Sequence, residues 1–127
     1  MADQPHFTWN ELMTRDVEGA KAFYRELLGW THYDKDMGED DNYAVFLSGG
    51  KEVAGLFDIN DKQFEGIPNH WFAYIKVDDV DASVAKVEAS GGKVLRPCFD
   101  VPEVGRIAII ADSTGAAVGI YTPAPRE

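Results

Sequence analysis

Glu11, His70 and Tyr74 are ionisable residues that the sequence places beside aromatic ones on two short strand-like segments. Side chains alternate between the two faces of a strand, so if Trp9 points into a cavity, Glu11 does too. By the same rule, an inward Phe72 brings His70 and Tyr74 to the cavity. A carboxylate among such rings would be desolvated and its pKa raised, as a general base acting near neutral pH requires. We therefore predict proton transfer by Glu11, with His70 or Tyr74 as its proton partner.

Several of the candidate residues also have an ordinary structural interpretation. Glu11 could be a polar residue at the rim, paired with a lysine or arginine, because structural ion pairs perturb pKa values too. His70 could be a structural histidine at the start of its strand. Trp9, Phe72 and Tyr121 could fill the core or form a platform on which a ring stacks. The residues alone leave these alternatives open.

Two amphipathic segments follow the strands and predict the helices that position them. The first starts at Asp16 and the second at Asp79, 63 residues later, and aspartate is a typical N-cap. The segments end at Gly29 and at Gly91-Gly92, since glycine readily adopts the positive φ of a C-cap. The apolar face of the first segment comprises Val17, Ala20, Phe23, Tyr24, Leu27 and Leu28. The repeated spacing indicates an internal duplication.

Short strands follow each predicted helix, and glycine-containing turns join the last two strands of each half. We predict strands at 7–14, 31–37, 42–47, 52–57, 71–77, 93–99, 106–111 and 116–121. The chain is then a single domain over 1–127, with repeat 1 at about 7–58, a linker at 59–69 and repeat 2 at about 70–121. The fold class is α+β: two βαβββ repeats whose mixed sheets curl into a barrel-like cleft, a shape that suits a small molecule.

Charge and composition restrict the partners. The net charge of −10 disfavours nucleic acid and anionic membrane surfaces, because phosphates repel such a protein. The sequence has no apolar run near the roughly 20 residues that span a membrane, and no secretory signal is evident at its start. A single cysteine, Cys98, cannot form an internal disulfide. Together these features predict a cytoplasmic protein with a small-molecule ligand.

The stretch from Asp16 to Trp30 contains the pattern FY…LGW. It resembles the first-helix signature of the vicinal oxygen chelate superfamily, which includes glyoxalases, bleomycin-resistance proteins and extradiol dioxygenases. The second half contains further motifs that resemble those of the superfamily and follow the same order: Val77-Asp78-Asp79-Val80, Gly91-Gly92-Lys93-Val94, Gly105-Arg106 and Asp112-Ser113-Thr114-Gly115. The resemblance covers nearly the whole chain and is strongest to glyoxalase-related members of undefined activity. It implies the predicted fold and a homodimer, since members of this length usually form their cleft between two subunits.

The resemblance also identifies where metal-binding members carry their ligands, on the first and last strand of each half. Those positions correspond here to Trp9, Gly55, Phe72 and Gly119. An indole, a phenyl ring and a glycine offer no donor to a metal ion, so we predict no metal and no cofactor. A two-residue shift in the alignment would instead place Glu11 or His70 at a ligand position.

Alternation on the last strand of each half adds Phe57 and Tyr121 to the predicted cavity. The predicted ligand-binding residues are therefore aromatic or glycine: Trp9, Phe72, Gly55, Phe57, Gly119 and Tyr121. The two glycines would leave room for a flat ligand against the backbone.

These residues predict a metal-independent protein that binds a small aromatic or carbonyl-bearing molecule. The first hypothesis is a lyase or isomerase in which Glu11 moves a proton next to a carbonyl. The second is a resistance-type protein that sequesters a drug without reaction, because an acidic aromatic cleft would attract a cationic aromatic compound. The third is a metal-dependent lyase of the glyoxalase type.

Overall fold

The computed structural model describes residues 4–36, 42–101 and 104–124 of the 127-residue chain. The first half contains β1 (His6–Thr14), α1 (Val17–Leu28), β2 (Thr31–Asp36), β3 (Asn42–Ser48) and β4 (Lys51–Asp58). A 3-10 turn (Lys62–Phe64) precedes the second half, which contains β5 (His70–Lys76), α2 (Val80–Val87), β6 (Lys93–Val101), β7 (Gly105–Ala111) and β8 (Ala117–Pro123). The α+β class and the two βαβββ repeats are confirmed. Neither helix is long and apolar enough, among the described residues, to cross a membrane.

The chain forms two compact units. Residues 9–72 form the first unit, and the rest of the described chain forms the second unit. In the first unit the strand order is β2-β3-β4-β1, with β1 parallel to β4 and the other pairs antiparallel. In the second unit the order is β5-β8-β7-β6, with β5 parallel to β8 and the other pairs antiparallel. Each unit is thus built on a mixed sheet with the same connectivity.

Both helices begin at the predicted N-caps. The Asp16 carboxylate accepts a backbone N–H from the first turn of α1 at 2.9 Å, and Asp79 does the same for α2 at 3.2 Å. Helix α1 ends at Gly29, whose φ of 75° is left-handed, as predicted. Helix α2 ends earlier than Gly91-Gly92, because its C-cap is Glu88 in the right-handed region. The turn that follows reaches positive φ only at Gly91.

The core of the first unit lies between α1 and its sheet. Its buried residues are Leu12, Ala44, Phe46, Ala54 and Leu56, against which Val17, Ala20 and Tyr24 of α1 pack. The rest of the predicted apolar face of α1 is exposed, namely Phe23, Leu27 and Leu28. Lys21 is buried instead, and its ammonium group reaches Glu18 at 3.0 Å and Asp34 at 2.9 Å. One helix on one sheet face buries only part of a wide apolar surface.

The core of the second unit is built from smaller residues. Val80, Ala108 and Ile120 are buried, and Ile75, Val77, Val84, Cys98 and Ile110 pack against them. The described surface of α2 exposes no large hydrophobic side chain. Leu12 thus belongs to the core of the first unit, and Ile75 and Ile120 belong to that of the second.

Candidate functional site

A β-bulge in the first unit decides which side chains share a face with Glu11. In the β3–β4 hairpin, Leu47 pairs with Glu52, but the next residue, Phe46, pairs with Ala54. Val53 is therefore an extra residue on β4, which is the definition of a bulge. Every β3 residue beyond this point is shifted to the opposite face from the one that a regular hairpin would give it.

The shift brings a tyrosine to the predicted site. Tyr43 pairs with Phe57, while Glu11 pairs with Gly55 on the other edge of β4. Because Gly55 and Phe57 are two residues apart on one strand, all four residues lie on one face. In a hairpin without the bulge, Tyr43 would pair with Leu56, which points into the core.

Tyr43 connects Trp9 with Glu11 through hydrogen bonds. The Trp9 indole Nε1 donates to Tyr43 Oη at 3.2 Å, and the Tyr43 hydroxyl is also hydrogen-bonded to Glu11. An indole N–H can only donate, so the phenol oxygen accepts it and the phenol proton is directed at the carboxylate. Burial, followed by the negative charge of Glu11, raises the pKa of Tyr43 far above its ordinary value. Tyr43 is therefore a neutral hydrogen-bond donor at any physiological pH.

Glu11 is buried, with only 8% of its surface exposed. Glu11 therefore does not lie in open solvent, and its pairing with a lysine or arginine, the structural alternative, stays a prediction. A buried carboxylate needs hydrogen-bond donors to compensate for lost water, and Tyr43 supplies one. The side chain can accept a proton at an oxygen that is held in position.

Gly55 is the position that makes room for this arrangement. A Cβ at residue 55 would lie 2.7 Å from Tyr43 Cζ, in collision with its hydroxyl, and 3.0 Å from Glu11 Oε2. Any side chain at this position would therefore push Tyr43 away. The space beside Gly55 in which we expected a flat ligand is filled by the Tyr43 ring in this structure.

The second unit has a related glycine, but a different ring covers it. Tyr74 pairs with Gly119, and a Cβ at residue 119 would lie 3.2 Å from Tyr74 Cγ and still closer to two other ring carbons. The rings of Tyr74 and Tyr121 meet edge to face, with centroids 6.4 Å apart. The hydroxyl of Tyr121 forms a hydrogen bond of 2.5 Å with Thr8 Oγ1. The structure thus groups Tyr74, Gly119 and Tyr121 into one aromatic cluster.

His70 and Phe72 form a pair at the start of β5. Their rings meet edge to face at 6.1 Å, and Phe72 is buried. The His70 Nδ1 atom lies 2.7 Å from the carbonyl oxygen of Pro68. A carbonyl can only accept, so Nδ1 carries the proton and Nε2 keeps its lone pair in the neutral ring. His70 is held in the tautomer of a base, and its partnership with Glu11 stays a prediction.

Tyr43 is the residue of the site that sequence reasoning misses. The turn at the β3–β4 hairpin indicates a regular register, which assigns Tyr43 to the core side. The available signal is Gly55 itself, because a glycine inside a strand marks a bulge or a close approach of another group. Here it marks both, since the bulge lies two residues before it and Tyr43 lies against it.

The donor set does not fit a metal ion. In the parts of the chain that the structure describes, no group of three or more His, Cys, Asp or Glu side chains could hold one. At the four positions that the resemblance implied, the side chains of Trp9 and Phe72 and the two glycines offer no lone pair for coordination. We assign no chemical step to a metal.

A surface recess of about 420 Å³ lies in the first unit near the linker, lined by residues that include Arg15, Lys62 and Gly66. The Arg15 guanidinium donates to the carbonyl of Phe64 at 2.7 Å and to that of Ile67. These bonds satisfy the cation and fix the linker, so the recess is a feature of the loop and not of the predicted chemistry.

Residues 4–120 match the family model of the Glyoxalase/Bleomycin resistance protein/Dioxygenase superfamily. The chain belongs to this family. It is 40% identical over 119 residues to "Putative glyoxylase CFP32" of Mycobacterium bovis, covering 94% of this chain and 44% of that protein. It is 34% identical over 126 residues to the anthracycline biosynthesis protein DnrV of Streptomyces peucetius, covering 89% of this chain and 45% of DnrV. The chain thus spans less than half the length of these relatives.

Solved structures with low sequence identity share the fold. Methylmalonyl-CoA epimerase from Mycobacterium tuberculosis aligns with a TM-score of 0.66 at 16% identity, over 94% of this chain and 88% of that one. A methylmalonyl-CoA epimerase in complex with methylmalonyl-CoA and NH4+ aligns with a TM-score of 0.70 at 19% identity, over 98% and 99% of the two chains. The alignments agree with the family assignment.

Proposed function

We propose that this family member binds a small aromatic or carbonyl-bearing molecule beside Trp9, Glu11 and Tyr43 and acts on it as a lyase or isomerase. The observation that carries the proposal is the Glu11 carboxylate, which is buried and held by the Tyr43 hydroxyl. Such a carboxylate is an effective proton acceptor once a ligand excludes the remaining water.

The proposed step is removal of a proton from the carbon next to a carbonyl group. Glu11 takes the proton, the C–H electron pair forms a carbon–carbon double bond, and the carbonyl oxygen becomes an enolate oxygen. Return of the proton at another position or face gives an isomer, and loss of a neighbouring leaving group gives the lyase product. His70 is our candidate for the proton partner because its Nε2 takes no part in the hydrogen bond to Pro68.

The relatives support this class of ligand. CFP32 is named for glyoxylase activity, and DnrV is named for the biosynthesis of anthracyclines, which are aromatic compounds with ketone groups. Both names point to carbonyl compounds. The family includes glyoxalases, dioxygenases and drug-resistance proteins, so a small organic ligand is also the family expectation.

Proton removal can be tested without knowing the natural substrate. Phenylpyruvate, 2-hydroxyacetophenone and the hemithioacetal of methylglyoxal and glutathione are incubated with the protein in D2O, and deuterium gain is followed by NMR. We expect enzyme-dependent exchange with at least one compound and a loss of about 100-fold or more in Glu11→Gln, the range for a general base. Exchange that is equally fast in Glu11→Gln would contradict the proposal.

Glu52 provides a matched control for that variant. It also accepts a hydrogen bond from a tyrosine, Tyr33, at 2.6 Å, but it is exposed. Glu52→Gln removes the same charge from the same sheet and should leave the exchange rate unchanged.

The second candidate function is drug sequestration without reaction. The net charge of −10 favours it, because the negative potential attracts a cationic aromatic compound. Daunorubicin is planar, cationic and carbonyl-bearing, and calorimetry at increasing salt concentrations measures its binding. Binding that weakens with salt, with no deuterium exchange for any compound, would favour sequestration; absent or salt-insensitive binding would count against it.

We also propose a homodimer in which α1 lies at the interface. Phe23, Leu27 and Leu28 are more than half exposed on this helix, and Trp71 continues the apolar surface through its ring contact with Tyr24. An exposed patch of this kind marks an interaction site. The relatives are more than twice as long as the segment they share with this chain, which leaves length for a second domain of this size.

Light scattering after gel filtration tests this interface. We expect a dimer for the wild-type chain and a monomer for Leu27→Asp, because a charge in an apolar interface is desolvated without a partner. Leu95→Asp is the control, since Leu95 is similarly exposed on β6 of the second unit. A Leu27→Asp variant that stays dimeric would reject α1 as the interface.

A further inference from the structure

We propose that Tyr43 is the positioning residue of the Glu11 carboxylate, and that Gly55 provides the space that the Tyr43 ring needs. This inference deepens the proposed function and rests on it for the role of Glu11 in proton transfer. Tyr43 acts through Glu11 and touches no reacting atom itself. Three features of the first unit support the assignment: the bulge at Val53, the glycine at 55 and the direction of the hydrogen-bond chain.

The bulge and the glycine both disfavour a strand, yet both occur at this point of β4. A bulge leaves one residue unpaired in the ladder, and a glycine inside a strand loses entropy and packing. Together they place Tyr43 on the Glu11 face and clear the space that its ring fills. Two unfavourable local features that serve one contact indicate that the contact itself has a role.

The hydrogen-bond chain runs in one direction. Trp9 can only donate, so it fixes the Tyr43 oxygen as its acceptor. The single proton of Tyr43 is then left for Glu11. Such a bond stabilises the charged carboxylate against burial and holds it in one orientation. On β3, the titratable side chain on the face of Glu11 is Tyr43. On β4, the residue paired with Glu11 is Gly55, which has no titratable side chain.

The titration of Glu11 in the free protein tests this role. Carbon-13 NMR of the glutamate carboxyl groups follows Glu11, which is identified by its absence in Glu11→Gln. We expect Tyr43→Phe to keep the fold and to move the Glu11 midpoint up by about one pH unit, because a hydrogen bond to a charged group is lost. A Glu11 midpoint that stays unchanged in Tyr43→Phe would overturn the proposal.

Tyr33→Phe is the matched control. Tyr33 also donates to a carboxylate, that of Glu52 at 2.6 Å, but at the surface. This variant should leave the Glu11 midpoint where it is in the wild type. A shift of Glu11 in Tyr33→Phe equal to that in Tyr43→Phe would show a general effect of the fold and would also overturn the assignment.

Gly55→Ala gives a second variant, whose Cβ would lie against both the Tyr43 hydroxyl and Glu11 Oε2. Its Cβ displaces Tyr43 while the phenol remains in the protein, so the Glu11 midpoint should rise as in Tyr43→Phe. An unchanged midpoint in a folded Gly55→Ala protein would reject the role of the glycine. Because these titrations need no ligand, they can succeed even if the deuterium exchange fails, and the two proposals are therefore separable.

Discussion

The two units share a connectivity but carry different side chains at equivalent positions. In the first unit Glu11 pairs with Gly55, and in the second Tyr74 pairs with Gly119. A tyrosine ring covers the glycine in both units. In the first unit that ring comes from the neighbouring strand as Tyr43, which leaves the paired position free for a carboxylate. In the second the ring occupies the paired position itself.

The difference lies in which side chains occupy equivalent positions of the two repeats. In the second unit, β7 presents Ile107 opposite Tyr121, where β3 of the first unit presents Tyr43 opposite Phe57. Ile107 is buried and apolar, so this copy has no hydroxyl at that place. At these equivalent positions the first unit carries Glu11 and Tyr43, and the second carries Tyr74 and Ile107.

The largest expected difference between the units is in catalysis. Glu11→Gln should reduce deuterium exchange by about 100-fold or more, whereas Tyr74→Phe, at the equivalent place, should reduce it by less than about tenfold. Rate measurements on the two variants with the same compound make the comparison. A larger loss of exchange in Tyr74→Phe than in Glu11→Gln would assign the proton transfer to the second unit and would contradict the proposed difference between the units.

The second prediction concerns what the units have in common. Gly55→Ala and Gly119→Ala should each lower the free energy of unfolding by about 1–3 kcal/mol, the usual effect of overpacking, because each Cβ meets a tyrosine ring. Urea unfolding measures the loss. A change in the free energy of unfolding below about 0.5 kcal/mol in either variant is within the ordinary range of surface substitutions. Such a result would show that the tyrosine ring does not pack tightly against that glycine.

The third prediction separates the units by pH. Burial and the Glu11 charge raise the pKa of Tyr43 in the folded protein above its ordinary value of 10.0. Tyr43 in the unfolded chain therefore loses its proton first, and its contribution to stability is complete below pH 10 and is lost as the pH rises above 10. The free energy of unfolding should fall more steeply from pH 9 to 11 in the wild type than in Tyr43→Phe. Equal slopes in urea unfolding would contradict the burial of this phenol.

The smallest effect is expected from metal removal. Among the residues that the structure describes, no group of three or more His, Cys, Asp or Glu side chains could hold a metal ion. Dialysis against a chelator should therefore change the rate of deuterium exchange by less than about twofold. Elemental analysis of the purified protein and an assay with the hemithioacetal of methylglyoxal and glutathione check this. Stoichiometric metal whose removal abolishes activity would establish a metal-dependent lyase of the glyoxalase type.

The sequence predicts the fold well because local signals repeat in it. Asp16 and Asp79 cap both helices as expected, and Gly29 ends the first. The end of α2 differs because Glu88 closes the helix without a glycine. The exposure of Phe23 and Leu27 could not be predicted, because periodicity shows which residues share a face and not how much of it the sheet covers.

The candidate site was only partly predictable. Alternation along β1 correctly put Glu11 on the face of Gly55, since it needs no knowledge of neighbouring strands. Tyr43 depends on the register of β3, which the bulge at Val53 shifts by one residue. A single shift reverses the face of every later side chain, so this part of the site required the structure.

Two tryptophans allow a direct test of where a ligand binds. The Trp9 indole N–H donates to Tyr43 at 3.2 Å, and the Trp71 indole N–H donates to Tyr24 of α1 at 3.2 Å. In proton–nitrogen NMR spectra both give separate indole signals, which are followed during titration with 2-hydroxyacetophenone and daunorubicin. We predict that at least one compound shifts the Trp9 signal and leaves that of Trp71 in place. Binding that moves only Trp71, or that moves neither indole, would contradict a ligand site at Glu11.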